Sequence, residues 1–520
     1  MESRKEHPRV LIEEWFPFEE IGIECRRERG ASSALPPISF LHVWWARRPL
    51  TVSKAAILGS ILSQDFPKKE FLKLMNFSEN IRGEFNQILN AKKKGERIKN
   101  PYSKDRAFKF NLDNTTLNNL VTSFAKPINE INLLDPMTGG GSIPLEAIRL
   151  NLNTYASDLN PVATIINIAS LYFPLRFGTS IISKIIKYSE KIFQSVSGKI
   201  LKYYPNIKDQ ENQTYIWVRT VQCHDPNCNL KIPLSPNWIL TKEPKVIIQI
   251  KPPLNYSETE CEFRIIENPS KKELRENTGT ITKGVGTCPR CNVTLTSDYI
   301  KNEAQSGRMG HQLITIVYNI RTGPKKTIRK FRTPIKKDLL AIDELDKIIE
   351  KKKDDWFNKD LIPNEDVKEG AKTRELLNKG IDKWYKLCNN RQLFTNVSIV
   401  EAINDLKQEL LKDETNSHEE LKAIFTYIHF AFDKIVARNC ILAIWDPNYK
   451  RAVHIFGRHD FAFKWSYVEM DIIRKGFNWA IMNVLKAYKG ILGLIKGNPD
   501  KIQIMQKPAQ KLDSFEEYRL

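Results

Sequence analysis

The run Asp135-Pro-Met-Thr-Gly-Gly-Gly-Ser-Ile-Pro-Leu-Glu146 constrains this chain more than any other segment. An apolar stretch, Ile131-Asn-Leu-Leu134, leads into the acid at Asp135, and three glycines follow closely. Residues 131–134 read as a short strand, Gly139, Gly140 and Gly141 as a turn, and 143–150 as a helix. Thr154-Tyr-Ala156 opens a second strand that ends at Asp158, with Asn160 and Pro161 directly behind it. Strand, glycine turn, helix and strand in this order make half of a doubly wound α/β fold, which takes ligands at the carboxyl ends of its strands.

The chemistry of that turn is specific. Glycines let the backbone approach a ligand with no Cβ in the way, and the helix that follows turns its free amides toward the same place. In a dinucleotide enzyme the turn receives a pyrophosphate, which an acid before the glycines would repel. An acid suits a cationic group instead, such as the amino group of S-adenosylmethionine. Asp158 lies about twenty residues past the glycines, where an acid accepts hydrogen bonds from a ribose diol. The candidate cofactor-binding residues are therefore Asp135, Pro136, Met137, Thr138, Gly139, Gly140, Gly141, Asp158 and Asn160.

Two cysteine pairs mark a different unit. Cys223-x4-Cys228 and Cys288-x2-Cys291 have the spacing of two knuckles that supply four thiolates to one tetrahedral zinc. Loop-closure entropy grows only logarithmically with length, so their wide separation is tolerable. Four thiolates leave no open position, which makes the expected role structural. His224 is a possible replacement ligand. Cys25, Cys261, Cys388 and Cys440 have no partner at ligand spacing and read as small apolar residues.

Charge points to the partner. The chain has 81 Lys and Arg against 61 Asp and Glu, a formal net charge of +20. An excess of that size favours a polyanion, because each neutralised phosphate releases counterions. Residues 325–337 are the densest basic stretch. No segment approaches the roughly twenty apolar residues of a membrane span, and residues 1–14 lack an apolar signal region. A cytoplasmic protein is expected, with DNA as partner and no membrane.

The motifs resemble one family. Residues 135–146 resemble the first motif of amino-methyltransferases that modify exocyclic amines of bases, a form also found in tRNA guanine methyltransferases. Trp44-Trp-Ala-Arg-Arg-Pro-Leu50 resembles the opening motif of the adenine-specific DNA methylases that contain a zinc ribbon. That resemblance implies a basic-Pro-Leu element, here Arg48, Pro49 and Leu50, beside the methionine end of the cofactor. It also covers Trp384-Tyr-Lys-Leu-Cys-Asn-Asn-Arg-Gln-Leu-Phe394, a helix over 427–445 and His454-Ile-Phe-Gly-Arg458. No bottom-up role follows for Arg391 and Gln392 beyond a packed helix.

One element of such enzymes is missing. Methylating a weakly nucleophilic exocyclic amine uses an Asp/Asn/Ser-Pro-Pro-aromatic tetrad and a base drawn out of the stack. Pro252-Pro-Leu-Asn-Tyr256 lacks the leading acid, and Asp446-Pro-Asn-Tyr449 lacks the second proline, leaving Asp446 and Tyr449 as weak catalytic candidates. Residues 501–513 resemble the strand and loop that precede the catalytic strand. The expectation is a Rossmann-like class I methyltransferase sheet, incomplete in this chain, with an inserted zinc ribbon and a helical region. The segments are 1–180 (cofactor core), 181–335 (zinc ribbon), 336–450 (helical target recognition) and 451–520 (return to the core). The expected function is the cofactor-binding and DNA-recognition subunit of a split adenine-N6 DNA methyltransferase, with a second polypeptide carrying the catalytic half. The resemblance implies restriction-modification or phage defence as its setting. The alternatives are an RNA base methyltransferase and a non-catalytic nucleic-acid-binding subunit.

Overall fold

The computed structural model describes residues 8–31, 34–120, 122–324, 326–457 and 459–512. The sequence readings that touch residues 1–7, Lys325, Arg458 and 513–520 fall to that extent outside the described residues. The chain is a mixed α/β protein in two compact units. One comprises Met1–Ile186, Asn416–Phe430 and Met482–Leu520, the other Lys187–Thr415 and Ala431–Ile481. The four segments expected from the sequence are thus regrouped. Residues 451–481 join the unit of the cysteine pairs, because Ser466–Met470 pairs antiparallel with Glu211–Gln222.

The first unit holds a three-stranded parallel sheet ordered Asn132–Asp135, Asn153–Ser157, Ile502–Met505. The glycine turn therefore leaves the first strand, and the central strand ends beside it. Leu133 stands opposite Thr154, and Ile504 opposite Ala156. The helix Ser142–Arg149 packs against Leu50–Ile61, and Ala55, Leu58, Ile61, Ala147 and Leu150 share one core. The Leu50–Ile61 helix starts on Glu28. That carboxylate accepts the amides of Leu50 (2.8 Å) and Thr51 (3.0 Å) and the Thr51 hydroxyl (2.8 Å), satisfying donors that a helix start leaves free. Glu146, the last residue of the glycine motif, is buried against Arg149 on the same helix. No helix among the described residues is long and apolar enough to cross a membrane.

The second unit is built on a sheet ordered Lys326–Arg332, Gly310–Gly323, Glu211–Gln222, Ser466–Met470, with Lys231–Leu234 also against Glu211–Gln222. The basic stretch is thus largely an edge strand, as cationic side chains suit. Part of its charge is already matched, since Arg332 pairs with the buried Asp338 and Lys330 with Glu267.

The Arg391-Gln392 element has a structural role. Arg391 and Glu469 are both fully buried and form a bidentate pair at 2.7 and 3.0 Å. Glu469 also accepts the Tyr204 hydroxyl and the Trp217 indole, each at 2.8 Å, and the guanidinium lies against the Tyr204 and Tyr215 rings. Gln392 donates to the Val468 carbonyl and closes a capping box with Asn389. The motif clamps the helix Asn390–Leu411 to the strand Ser466–Met470. The helix expected over 427–445 ends at Val436, and Ile444–Asp446 is a strand paired with Arg451–Val453. A short apolar run fits helix and strand alike, and tertiary pairing decides between them.

Candidate cofactor and metal sites

The parallel sheet brings Asp135 and Asp158 to adjacent strand ends, on either side of the glycine turn. Asp158 Oδ2 accepts the Gly139 amide at 2.8 Å and Oδ1 the Asn160 amide at 2.9 Å. Asp135 Oδ1 accepts the Met137 amide at 3.2 Å. Burial raises the Asp135 carboxyl above the usual carboxylate range, the Met137 amide partly offsets this, and the neighbouring Asp158 adds to it. Two acids sharing a partly buried corner, with no cation in ion-pair contact with either among the described residues, form a ready receptor for positive charge. Asn160, expected at the ligand, instead caps the next helix, accepting the Val162 amide at 2.9 Å. Thr138 anchors the turn, its amide donating to the Ser157 carbonyl at 3.0 Å. Met137, Leu159 and Val162 are exposed apolar side chains along this rim.

The turn itself is packed from below. Gly139 and Gly141 have φ of 51° and 77°, which side chains rarely adopt. A Cβ on Gly139 would lie 2.8 Å from Trp44 Nε1, and one on Gly140 2.6 Å from Arg47 Nε. Gly139 and Gly140 are thus required by the Trp44-to-Leu50 element as much as by any ligand, and Gly141 by Asn167, whose Oδ1 would lie 2.6 Å from a Cβ there. Arg48 is exposed, and its carbonyl accepts the Ser142 hydroxyl at 2.7 Å, while Pro49 and Leu50 begin the buried helix. The arginine that enters the turn is Arg47, not the neighbouring Arg48 expected from the sequence. Its side chain donates to the carbonyls of Gly140 (3.2 Å) and Ile38 (2.7 Å). Burial lowers its pKa to about 10, and its Nη2 is buried with no partner. Asn167 was also missed: fully buried, its Nδ2 bonds Thr138 Oγ1, the Gly139 carbonyl and the Ala163 carbonyl. Nothing in the spacing of Asn167 announces this role.

The four expected cysteines converge. The sulfurs of Cys223, Cys228, Cys288 and Cys291 lie within 4.8 Å of one another, with Cys223–Cys291 at 3.7 Å and Cys228–Cys288 at 3.6 Å. A tetrahedral zinc with bonds of about 2.3 Å would hold its sulfurs about 3.8 Å apart. Asn292, at φ 61°, turns the second knuckle. Burial pushes the Cys228 thiol up, but hydrogen bonds led by the Arg290 guanidinium outweigh it and bring the pKa to about 7. Four close sulfurs that are not disulfide-bonded fit a metal such as zinc. His224 is exposed and lies edge-on to the Tyr299 ring.

Asp446 and Tyr449, the weak catalytic candidates, sit in the turn of the Ile444–Asp446 and Arg451–Val453 hairpin. Asp446 Oδ1 accepts the amides of Asn448 and Tyr449, and Tyr449 is exposed. Residues 15–81 match the family described as "Protein of unknown function (DUF1156)". That stretch contains Trp44, Arg47 and the Leu50–Ile61 helix, and ends before the glycine turn. No curated protein and no solved structure matches the chain.

Proposed function

We propose that the first unit binds S-adenosylmethionine and that the chain is the cofactor-binding and nucleic-acid-recognising part of an adenine-N6 DNA methyltransferase. One observation carries this: two acids and an arginine with an unpartnered buried nitrogen surround a single glycine turn. The ligand such a corner fits has a cation, a carboxylate and a diol. Asp135 would take the α-amino group, Arg47 Nη2 the carboxylate, and Asp158 the ribose hydroxyls, while the Met137, Leu159 and Val162 rim offers apolar surface to a purine. The orphaned Arg47 nitrogen favours this fit over a bare phosphate site, where the acids would repel the ligand. When bound, S-adenosylmethionine supplies an electrophilic methyl group.

The preference for DNA adenine rests on the resemblance of Trp44 to Leu50 and of the cysteine knuckles, and the preference for a polyanion on the net charge of +20. The acid-Pro-Pro-aromatic tetrad does not occur in the 520 residues, so a second polypeptide is proposed to bring it. Methyl transfer from labelled S-adenosylmethionine to DNA and to RNA, with this chain alone and with a partner bearing Asp-Pro-Pro-Tyr, tests the proposal. Transfer to DNA adenine that needs both chains is expected. Activity of this chain alone would overturn the split arrangement and return Asp446 and Tyr449 to consideration, and transfer to RNA only would overturn the substrate.

A further inference from the structure

The second unit contains a cleft of about 320 Å³ lined by Arg329, Arg438, Arg451 and Lys475 together with Trp445 and Trp479. Among the described residues, none of these four cations has a carboxylate in ion-pair contact. Arg329 instead donates to the Lys450 carbonyl and to Asn319 Oδ1, and Arg438 lies 4.6 Å above the Trp479 ring. Asp446 faces Arg451 across the hairpin, but its Oδ1 is committed to the turn amides. Burial lowers the pKa of Arg438 to about 10, with Arg451 adding to the effect. Burial likewise lowers Lys475, with Arg329 adding to it and only Glu211 opposing. Elsewhere on this unit basic side chains find acids readily, as Lys330 does with Glu267 and Arg332 with Asp338. Crowding like charges in a partly buried cleft is costly unless an anion enters.

Two further features point to a ligand. Gln213 lines the cleft, is buried, and leaves Oε1 without a hydrogen-bond partner. Lys475 stands on a π-helical turn, Ile472–Gly476, a distortion that concentrates at functional sites. Unpaired cations beside two indoles, with one orphaned acceptor, suit a phosphate attached to a flat base that carries N–H groups.

We propose that this cleft binds one nucleotide unit of a nucleic-acid strand, its phosphate among Arg329, Arg438, Arg451 and Lys475 and its base beside the tryptophans. The proposal rests on the nucleic-acid part of the function above, and needs neither the cofactor site nor the catalytic partner. The test is the double variant Arg451→Gln/Lys475→Gln in the full chain, titrated with a short single-stranded oligonucleotide, a mononucleotide and inorganic phosphate at several salt concentrations. Two lost phosphate contacts should lower the salt slope for the single strand by about 1.4, since each contributes about 0.7. Zinc content and S-adenosylmethionine affinity should stay unchanged. An unchanged slope, in a protein that still binds the oligonucleotide, would overturn the cleft assignment and leave the nucleic-acid reading standing. Binding of the mononucleotide or phosphate but not of the oligonucleotide would overturn the strand as ligand. Failure of the unaltered chain to bind any of the three would overturn both.

Discussion

Replacing Arg47 by methionine isolates the group proposed above to receive the ligand's carboxylate. The guanidinium is buried, its Nε and Nη1 are spent on the Gly140 and Ile38 carbonyls, and Nη2 is left over. A hydrogen bond to a charged group contributes about 1.5–3 kcal/mol, so Arg47→Met should weaken S-adenosylmethionine or S-adenosylhomocysteine binding roughly 10- to 150-fold. The same change also removes three bonds to backbone carbonyls, those of Gly140, Ile38 and His42, a loss that can loosen the turn for every ligand. 5′-Methylthioadenosine separates the two effects, because it keeps the adenosine and lacks the amino-acid end. Calorimetry with both ligands on the wild type and variant forms a thermodynamic cycle. The expected result is a large loss for the amino-acid ligand and little for methylthioadenosine. Equal losses would refute a carboxylate role and leave Arg47 as a brace of the glycine turn.

Asp158→Ala should weaken both ligands by about 1.5–3 kcal/mol, and unchanged affinity for methylthioadenosine would remove Asp158 from the ribose. Asp135 has a raised pKa in the folded chain, so its contribution to stability is fully present below the ordinary carboxylate range and is lost as pH rises through the raised value. Asp135→Asn should therefore raise the Tm of the ligand-free protein at neutral pH, with the difference closing toward acid, while weakening the amino-acid ligand; a lower Tm at neutral pH would contradict this. Purified protein should contain one zinc per chain, and Cys288→Ser should release it and unfold the knuckles; metal-free protein from chelator-free purification would refute the site. Glu469→Ala leaves Arg391 buried and unpaired, which should cost about 3–5 kcal/mol in denaturant unfolding, and a loss below about 1 kcal/mol would show the pair to be dispensable.

The local chemistry was legible in the sequence wherever a short motif carries its own geometry. Strand, turn and helix around Gly139 to Gly141 lie where the glycines and Asp135 placed them, and the cysteine knuckles met because their spacing describes tight turns. Long-range pairing was less legible. Nothing in residues 451–470 marks Ser466–Met470 as a partner of Glu211–Gln222, and the basic run after Gly323 carries no signal that it folds back as a strand. Arg391 gave no hint of its partner because Glu469 lies far along the chain, and a buried pair leaves no local pattern. Arg47 and Arg48 are adjacent and chemically identical, so only the packing of Trp44 and Arg47 against the glycines tells which one faces inward.

That packing changes what the glycine turn means. If its glycines served only to admit a ligand, the upstream Trp-Trp-Ala-Arg-Arg element would be an independent surface feature. Instead Trp44 and Arg47 occupy the space that side chains at 139 and 140 would need, and Ser142 is tied to the Arg48 carbonyl. The two motifs therefore constrain each other: a larger residue at 139 would collide with Trp44 and one at 140 with Arg47 and Trp44, and a smaller one at 44 would leave the turn unsupported. The sheet leaves room beside the turn. Asn153–Ser157 is paired on both sides, whereas Asn132–Asp135 and Ile502–Met505 each have one side without a strand among the described residues, and the first of these lies next to the glycine turn. A further parallel strand added there would end next to Asp135, at the same rim as Met137 and the glycine turn, because parallel strands deliver their carboxyl ends to one side of the sheet. An open edge of backbone donors and acceptors is also a site where another chain segment can pair. On the function proposed above, the open side of Asn132–Asp135, rather than that of Ile502–Met505, is the one at which a catalytic segment would arrive beside the turn.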